Sequence, residues 1–500
     1  MKATPIADSP SVCPYPQSGA SHWLPSRVLA EQVFSRAAGA PLIAGNDVKL
    51  LIDAAENYPA WMERVSSARR TIHFEMYIIS DDEVGLEFAE ILMEKARAGV
   101  QVRLVYDWLG CMGKASRGFW KALRNAGVHV RCFNPPRWDS PFGWVSRDHR
   151  KVIVVDGSAA FVTGLCIGQM WKGYPGRGIE PWRDTGVEIR GPAVADIERA
   201  FSEVWAVLGS PLPSEEIPSK ESINPAGDID LRVIATAPNT SGLYRLDNLI
   251  AALARRSLWI SDAYFLGVSS YVQALRAASM DGVDVRLMVP GSTDIPLLRA
   301  VSRAGYQPLL EAGVRVFEWN GSMMHAKTAV ADGIWARVGS TNLNIASWMG
   351  NYELDAAIED QGFARAMEEM FVKDLGNCTE IVLSRKSRIT PSGARARSSI
   401  PELKLNPGSL GRAGAGTIRI GYSLGAALTE HRLLGHAEAK ITALAGLLLL
   451  VIAVICFLWP LFLVIPVCVL SIWIALALLV RTLRIYFRDS KNVEKHLPGS

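Results

Sequence analysis

Between about Leu42 and Ser384 the chain alternates two hydrophobic patterns. Short β-branched runs such as VRLVYD at 102–107 and VIVVD at 152–156 call for strands, and between them lie stretches with apolar residues at helical spacing, as in AAENYPAWMERV. Strands alternating with helices predict an α/β layered fold. Beyond Ser384 the pattern stops. RKSRITPSGARARSS is a cationic Arg/Ser/Gly segment expected to be a linker, and Ile441 to Val480 is apolar without a single charged residue. The expected division is an N-terminal extension (1–39), two α/β lobes (40–215 and 216–384), a basic linker with a short interfacial helix (385–440), a membrane segment (441–480) and a basic tail (481–500).

The two lobes echo each other. VRLVYD at 102–107 answers VRLMVP at 285–290, AGVHVRCF at 126–133 answers AGVRVFEW at 312–319, and HRKVIVVDG at 149–157 answers HAKTAVADG at 325–333. RDTGVEI at 183–189 then stands against YELDAAI at 352–358. Any α/β protein repeats strands of this kind, but four matches in order, one of them with identical H-x-K-x4-D spacing in both members, predict similar lobes facing each other across a pseudo-twofold axis. The loop before the first histidine, with Asn134-Pro135-Pro136 and WDSPFGW, is the longer of the two.

Composition narrows the picture. A formal charge of +4 on 500 residues leaves no nucleic-acid footprint. Seven cysteines without paired-ligand spacing fit separate reduced thiols better than a disulfide framework or a zinc site. The N-terminal stretch has no continuous apolar core and does not read as a secretory signal.

The chemistry lies in the repeated segments. Strand periodicity puts His149 and Lys151 on one face, and likewise His325 and Lys327. Thr163-Gly164 closes the first segment and Gly339-Ser340-Thr341-Asn342 the second, with small residues and donors suited to phosphoryl oxygens. Two imidazoles and two ammonium groups suit phosphodiester transfer. One imidazole attacks phosphorus; the other protonates the departing alkoxide and then deprotonates the incoming alcohol or water. Each imidazole also needs a carboxylate on its other nitrogen, and Asp184 and Glu353 are the candidates. Asp156 and Asp332 complete the motifs' catalytic set, although at the strand ends a turn contact or a salt bridge is expected of them. Glu75, Tyr77 and Asp107 are candidates for the substrate side; a buried charge, a core tyrosine and a structural carboxylate are their bland readings. Trp108, Trp144 and Trp182 are candidates for a lipid entrance, and equally for core packing. The remaining histidines, His22, His73, His129, His431, His436 and His496, read as ordinary core or surface residues.

The paired segments resemble the HKD motifs, H-x-K-x4-D-x6-G-[GS]-x-N, of the phospholipase D superfamily. With IHFEMYII, YDWLG and GWVSRDHRKVIVVDG, the chain from about residue 30 to 384 resembles the bacterial cardiolipin synthase branch. The resemblance implies one metal-free, cofactor-free site between two lobes, with His149 as nucleophile and His325 as general acid/base. It also implies that Lys151, Lys327, Ser340 and Asn342 hold the phosphoryl group and that Asp184 and Glu353 orient the histidines. The first half departs from the pattern: Thr163 stands where glycine is common and Cys166 where asparagine is common. We read Cys166 as a lost amide donor, so Cys166→Asn should keep or raise turnover.

By this reading the substrates are phospholipids, phosphatidylglycerol first, and no nucleic acid is expected. A membrane phospholipase D that hydrolyses its lipid, a nuclease and a non-catalytic lipid-binding scaffold are the alternatives. The 40 apolar residues from 441 to 480 would make a helix of roughly 60 Å, about twice the hydrocarbon thickness. Pro460 divides them, which predicts a two-span hairpin. Arg432 and Lys440 before it, with Arg481, Arg484, Arg488 and Lys491 after it, predict both ends, and the lobes, on the cytoplasmic side of the inner membrane.

Overall fold

The computed structural model describes residues 24–137, 145–294, 302–303, 305–383 and 389–391, together with 447, 450–452, 454–455, 457–458 and 460–494 of the apolar stretch. Lobe 1 contributes strands β1 (Ile43–Ile52), β2 (Thr71–Met76), β3 (Gln101–Asp107), β4 (His129–Phe133), β5 (Lys151–Val155), β6 (Ala159–Thr163) and β7 (Thr185–Arg190). Lobe 2 contributes β8 (Ile229–Thr236), β9 (Ser257–Ser261), β10 (Asp284–Pro290), β11 (Arg315–Trp319), β12 (Thr328–Ala331), β13 (Trp335–Gly339), β14 (Glu353–Glu359), β15 (Cys378–Leu383) and β16 (Ile389–Pro391).

Lobe 1 runs β1-β7-β6-β5-β2-β3-β4 and lobe 2 runs β8-β14-β13-β12-β9-β10-β11, the same order twice, with β15 and β16 added at the far edge. The twofold repeat seen in the sequence is therefore a repeat of topology. β1 and β8 pair antiparallel at the centre and join the halves into one 16-stranded sheet.

Strand β5 shows why its residues are β-branched. Ile153 and Val155 pack into the core of lobe 1 with Trp61, Phe74 and Trp171, while Val152 and Val154 face the opposite way. A strand buried on both faces reads as a continuous apolar run rather than an alternating one. The second face belongs to a core shared by both lobes, where Val152, Val162 and Val187 meet Val330, Val338 and Leu354. The helices Val194–Val207 and Gln361–Leu375 close it through Ile197 and Met367.

Three features differ from the linear division. The helix Leu24–Ala38 precedes lobe 1 in sequence but packs on lobe 2: Glu31 accepts from Arg232 at 2.8 Å, and Arg245 Nε donates to the Ala37 carbonyl at 3.0 Å. Ile389–Pro391, expected within the linker, instead pairs with β15; a proline is tolerated there because an edge strand leaves its outer N–H positions unused. In the apolar stretch, Pro460–Glu494 is one helix that continues through Pro466. Residues 464–480 are its longest run described side chain by side chain, and almost all of them are exposed. Among the described residues no helix is long and apolar enough to cross a membrane. The linker residues 392–440, His22, His496 and the WDSPFGW loop with Trp144 lie outside the described residues.

Candidate active site

The two motif segments reach the same place because each is stitched to the opposite lobe. The His149 N–H donates to the Tyr352 carbonyl at 2.9 Å, and the Tyr352 N–H returns to Arg147 at 2.8 Å. The symmetric pair runs from His325 N–H to the Arg183 carbonyl at 2.7 Å and from Arg183 N–H to Met323 at 2.8 Å. These short parallel bridges leave the following residues, Glu353 and Asp184, facing the histidine of the other half.

The carboxylate pairing is therefore crossed. His149 Nδ1 lies 2.8 Å from Glu353, and His325 Nδ1 lies 2.7 Å from Asp184. A carboxylate only accepts, so each Nδ1–H donates and each Nε2 carries the lone pair. Sequence spacing identified both carboxylates, yet distance along the chain pairs them within a lobe; only the fold crosses them. Both acids are fully buried, and the two histidines are 8% and 6% exposed, so the centre is nearly dry.

The shells around the two acids differ. Glu353 accepts from Ser340 Oγ at 2.7 Å and from Asn351 Nδ2 at 3.1 Å. Asp184 accepts instead from Trp171 Nε1 at 3.0 Å and from the Thr185 N–H at 2.9 Å. Gly164 takes the place of Ser340 in the first half, and a Cβ there would lie 2.1 Å from Asp184 Oδ1. The glycine is required by close approach of the carboxylate. Aromatic rings complete the walls, Tyr77 against His149 at 4.7 Å and Trp182 and Trp171 against His325 at 5.5 and 5.6 Å.

Both lysines are fully buried, and burial lowers both, Lys327 to about 8, where the nearby Lys151 adds to the effect against the pull of Asp184. Lys327 Nζ sits 3.0 and 3.1 Å from the two ring nitrogens of His325. Burial and that ammonium bring His325 down to about 4, so its imidazole is neutral at pH 7. Asp184 goes the other way: although burial opposes it, His325 and Lys327 hold it below the usual carboxylate range. Burial raises Glu353 against the pull of Lys151. Glu353, bonded to both His149 and Ser340, and Asp184, bonded to His325, bring the two motifs to one centre, with a buried lysine from each.

Other expected residues fall elsewhere. Asp156 and Asp332 are not in this cluster. Each stands at the far end of its strand, in the left-handed region (φ 53° and 55°) ahead of a glycine that is also left-handed. Asp156 accepts from the backbone of Arg69, Arg70 and Thr71, and Asp332 from Arg255, Arg256 and Ser257. They tie a hairpin turn to the start of the neighbouring strand, as the turn reading expects. Asp107 accepts from Leu109, Gly110 and Asp148 backbone N–H groups, so its carboxylate braces the segment that leads into His149. Ser340 spends its hydroxyl hydrogen on Glu353. Asn342 is 2% exposed, with its side-chain oxygen unpartnered among the described residues. Cys166 is buried, and burial raises its thiol against the pull of both lysines. Glu75 is buried behind the motif strand, not in the cleft. Trp171 and Asn351 were missed by the sequence reading; no spacing rule marks them, because they act on a carboxylate brought in by the fold.

Comparison with known proteins is consistent along most of the folded region. The family model described as cardiolipin synthase, PLD-like domain, matches residues 61–205 and 249–375. Among curated relatives, a cardiolipin synthase of Geobacillus sp. (strain WCH70) is 32% identical over 354 residues, 70% of each chain. Cardiolipin synthase A of Pseudomonas fluorescens (strain SBW25) is 33% identical over 346 residues, 68% of this chain and 71% of the relative. Among solved structures, phosphatidylserine synthase from Haemophilus influenzae Rd KW20 superposes with a TM-score of 0.53 at 16% identity, covering 70% of this chain and 91% of that one. At that identity the superposition speaks for the fold alone.

Proposed function

The chain belongs to the cardiolipin synthase, phospholipase D-like domain family, and from that premise we propose that it is a phosphatidyltransferase that joins two phosphatidylglycerol molecules into cardiolipin. The observation that carries the reading is the crossed pair of histidine–carboxylate contacts flanking two buried lysines.

In the first step His149 Nε2 attacks the phosphorus of one phosphatidylglycerol. A P–N bond forms, the P–O bond to the head-group glycerol breaks, and His325 gives its proton to that oxygen. In the second step a hydroxyl of another phosphatidylglycerol gives its proton to His325 and attacks phosphorus, and the P–N bond breaks. Two phosphatidylglycerols become cardiolipin and glycerol. Lys151 and Lys327 stabilise charge on the non-bridging oxygens throughout, and the Asn342 amide donates to the same oxygens. The anionic diester also offsets the repulsion of Lys327 on His325, so binding substrate returns to that imidazole the proton it needs. The small exposure of both histidines favours transfer over hydrolysis, because water reaching the intermediate would release phosphatidic acid instead.

The apolar stretch 441–480 anchors the enzyme as a membrane hairpin, with the lobes at the cytoplasmic face beside their lipids. Its support is the uncharged sequence, the flanking basic residues and the exposed apolar side chains Leu461, Val464, Val469, Ile472 and Leu479.

The test is product analysis with head-group-labelled phosphatidylglycerol. Cardiolipin plus glycerol is the expected outcome, with loss of several orders of magnitude in His149→Ala while vesicle binding persists. Phosphatidic acid as the sole lipid product would replace the transferase with a hydrolase, and cellular function preserved in His149→Ala would point to a scaffold.

A further inference from the structure

Behind the first motif lies a charged cluster that the chemistry above does not use. Asp148 and Arg150 flank His149, and the pleat turns Arg150 toward the face of Val152 and Val154, away from Lys151. Glu75 on β2 pairs in register with Val152 and points to the same face. Glu75 and Asp148 are both 0% exposed. Their carboxyl groups act on each other at hydrogen-bonding range, yet none of their four oxygens has a donor among the described residues.

Arg150 does not fill that role. Its guanidinium donates to the carbonyls of Glu353, Ala200 and Thr236, at 3.2, 2.6 and 3.1 Å, and so ties β5 to the helix Val194–Val207 and to lobe 2. The groups facing the pair are Arg150 beside it, Asp107 and Arg147 from the adjoining segments, Glu203 from the helix and Tyr352 from lobe 2. Glu203 is exposed and solvated. The buried groups acting on one another are three carboxyls, Glu75, Asp148 and Asp107, two guanidinium groups, Arg147 and Arg150, and the Lys151 ammonium on the other face of the strand. Fully ionised, the pair would set two carboxylates without a donor side by side in a dry interior, where like charges repel strongly. One proton shared between them removes that repulsion and supplies the missing donor. Burial raises Asp107 to about 6, but Arg147 and three backbone donors hold it below neutrality, so it is the acid of the three that is ionised at pH 7.

We propose that Glu75 and Asp148 share a single proton and act as positioning residues, holding the backbone that carries His149. The idea rests on the transferase reading only for its assay. Burial raises both carboxyls, in agreement with a retained proton at neutral pH. When the proton leaves at alkaline pH, repulsion drives Asp148 from its place, and the adjoining His149 loses its alignment with Glu353.

Glu75→Gln tests this. The amide supplies the missing N–H to Asp148 and leaves no shared proton to titrate. Turnover near neutrality should stay within about threefold of wild type, and the alkaline limb of kcat should move up by about one pH unit or more. Glu75→Ala, which leaves Asp148 without a donor, should lose tenfold or more on the same scale. Infrared spectroscopy of the lipid-free protein should show a protonated-carboxyl band at pH 7 that disappears in Glu75→Gln. The proposal is overturned if the wild type lacks that band, if Glu75→Gln falls as far as Glu75→Ala, or if Glu75→Gln keeps the wild-type alkaline limb. A wild type that has the band but makes no cardiolipin supports the shared proton and overturns the transferase instead.

Discussion

His325 shows how one residue's environment sets its chemistry. Burial and Lys327 hold its proton affinity down to about 4, whereas the free side chain titrates near 6.5. The unfolded chain therefore binds the extra proton, and this group subtracts stability as pH falls from about 6.5 toward 4. An anion seated between the lysines removes the repulsion and draws a proton in. Inorganic phosphate should consequently bind with proton uptake, and more tightly as pH falls across the neutral range; the loss of charge on Lys327 above about 8 acts in the same direction. Calorimetry in buffers of different ionisation heat reads this directly, and proton release on binding would contradict it. A second test separates the two histidines. Asp184→Asn disables His325 and should cost about 10²–10⁴ in turnover of phosphatidylglycerol, yet keep a single-turnover burst with a nitrophenyl leaving group that needs no acid. Glu353→Gln disables His149 and should lose the burst as well. At this scale the sequence was informative for the histidines, lysines and orienting acids, since identity and spacing are chemical signals. Spacing alone would give each acid to the histidine of its own lobe; the crossed pairing is made by the short bridges between Asp148 and Tyr352 and between Arg183 and Met324.

The same division holds for elements. The strand β5 and the turn after it were legible from VIVVDG, because β-branched residues and Asp-Gly carry their conformational preferences locally. The motif groups the two aspartates with the catalytic set, but turn chemistry is what they perform. Asp332 is partly exposed, and although burial opposes it, three backbone N–H groups hold its carboxyl below the usual range. Asp332→Ala should lower stability by about 1–2 kcal/mol, after allowance for solvent, with kcat nearly unchanged. Its stabilising effect is present above the ordinary carboxylate range and lost as pH falls through the depressed value. Gly164→Ser makes the first half resemble the second and should do the opposite: near-normal unfolding temperature but a large loss of turnover, because the new side chain occupies the space of Asp184. A functional Gly164→Ser would mean that the carboxylate has room to retreat. The edge strand β16 and the docking of the N-terminal helix on lobe 2 were not legible, since each depends on a partner distant in sequence.

For the whole molecule, the repeat was the decisive sequence signal, and it translates strand for strand into the two halves of the sheet. The proposed anchor makes its own prediction. A cysteine introduced at Ser384 should react with membrane-impermeant thiol reagents only from the cytoplasmic side, and labelling from the periplasm would reverse the topology. The crossed contacts have a further meaning for how such a chain arises. A polypeptide with one lobe would own a histidine and a carboxylate that cannot reach each other, but two copies related by the β1–β8 axis would complete one another. Fusion of the copies frees each to specialise, and the divergence is already visible: Gly164 and Trp171 serve one acid where Ser340 and Asn351 serve the other, so the two histidines stand on unlike supports.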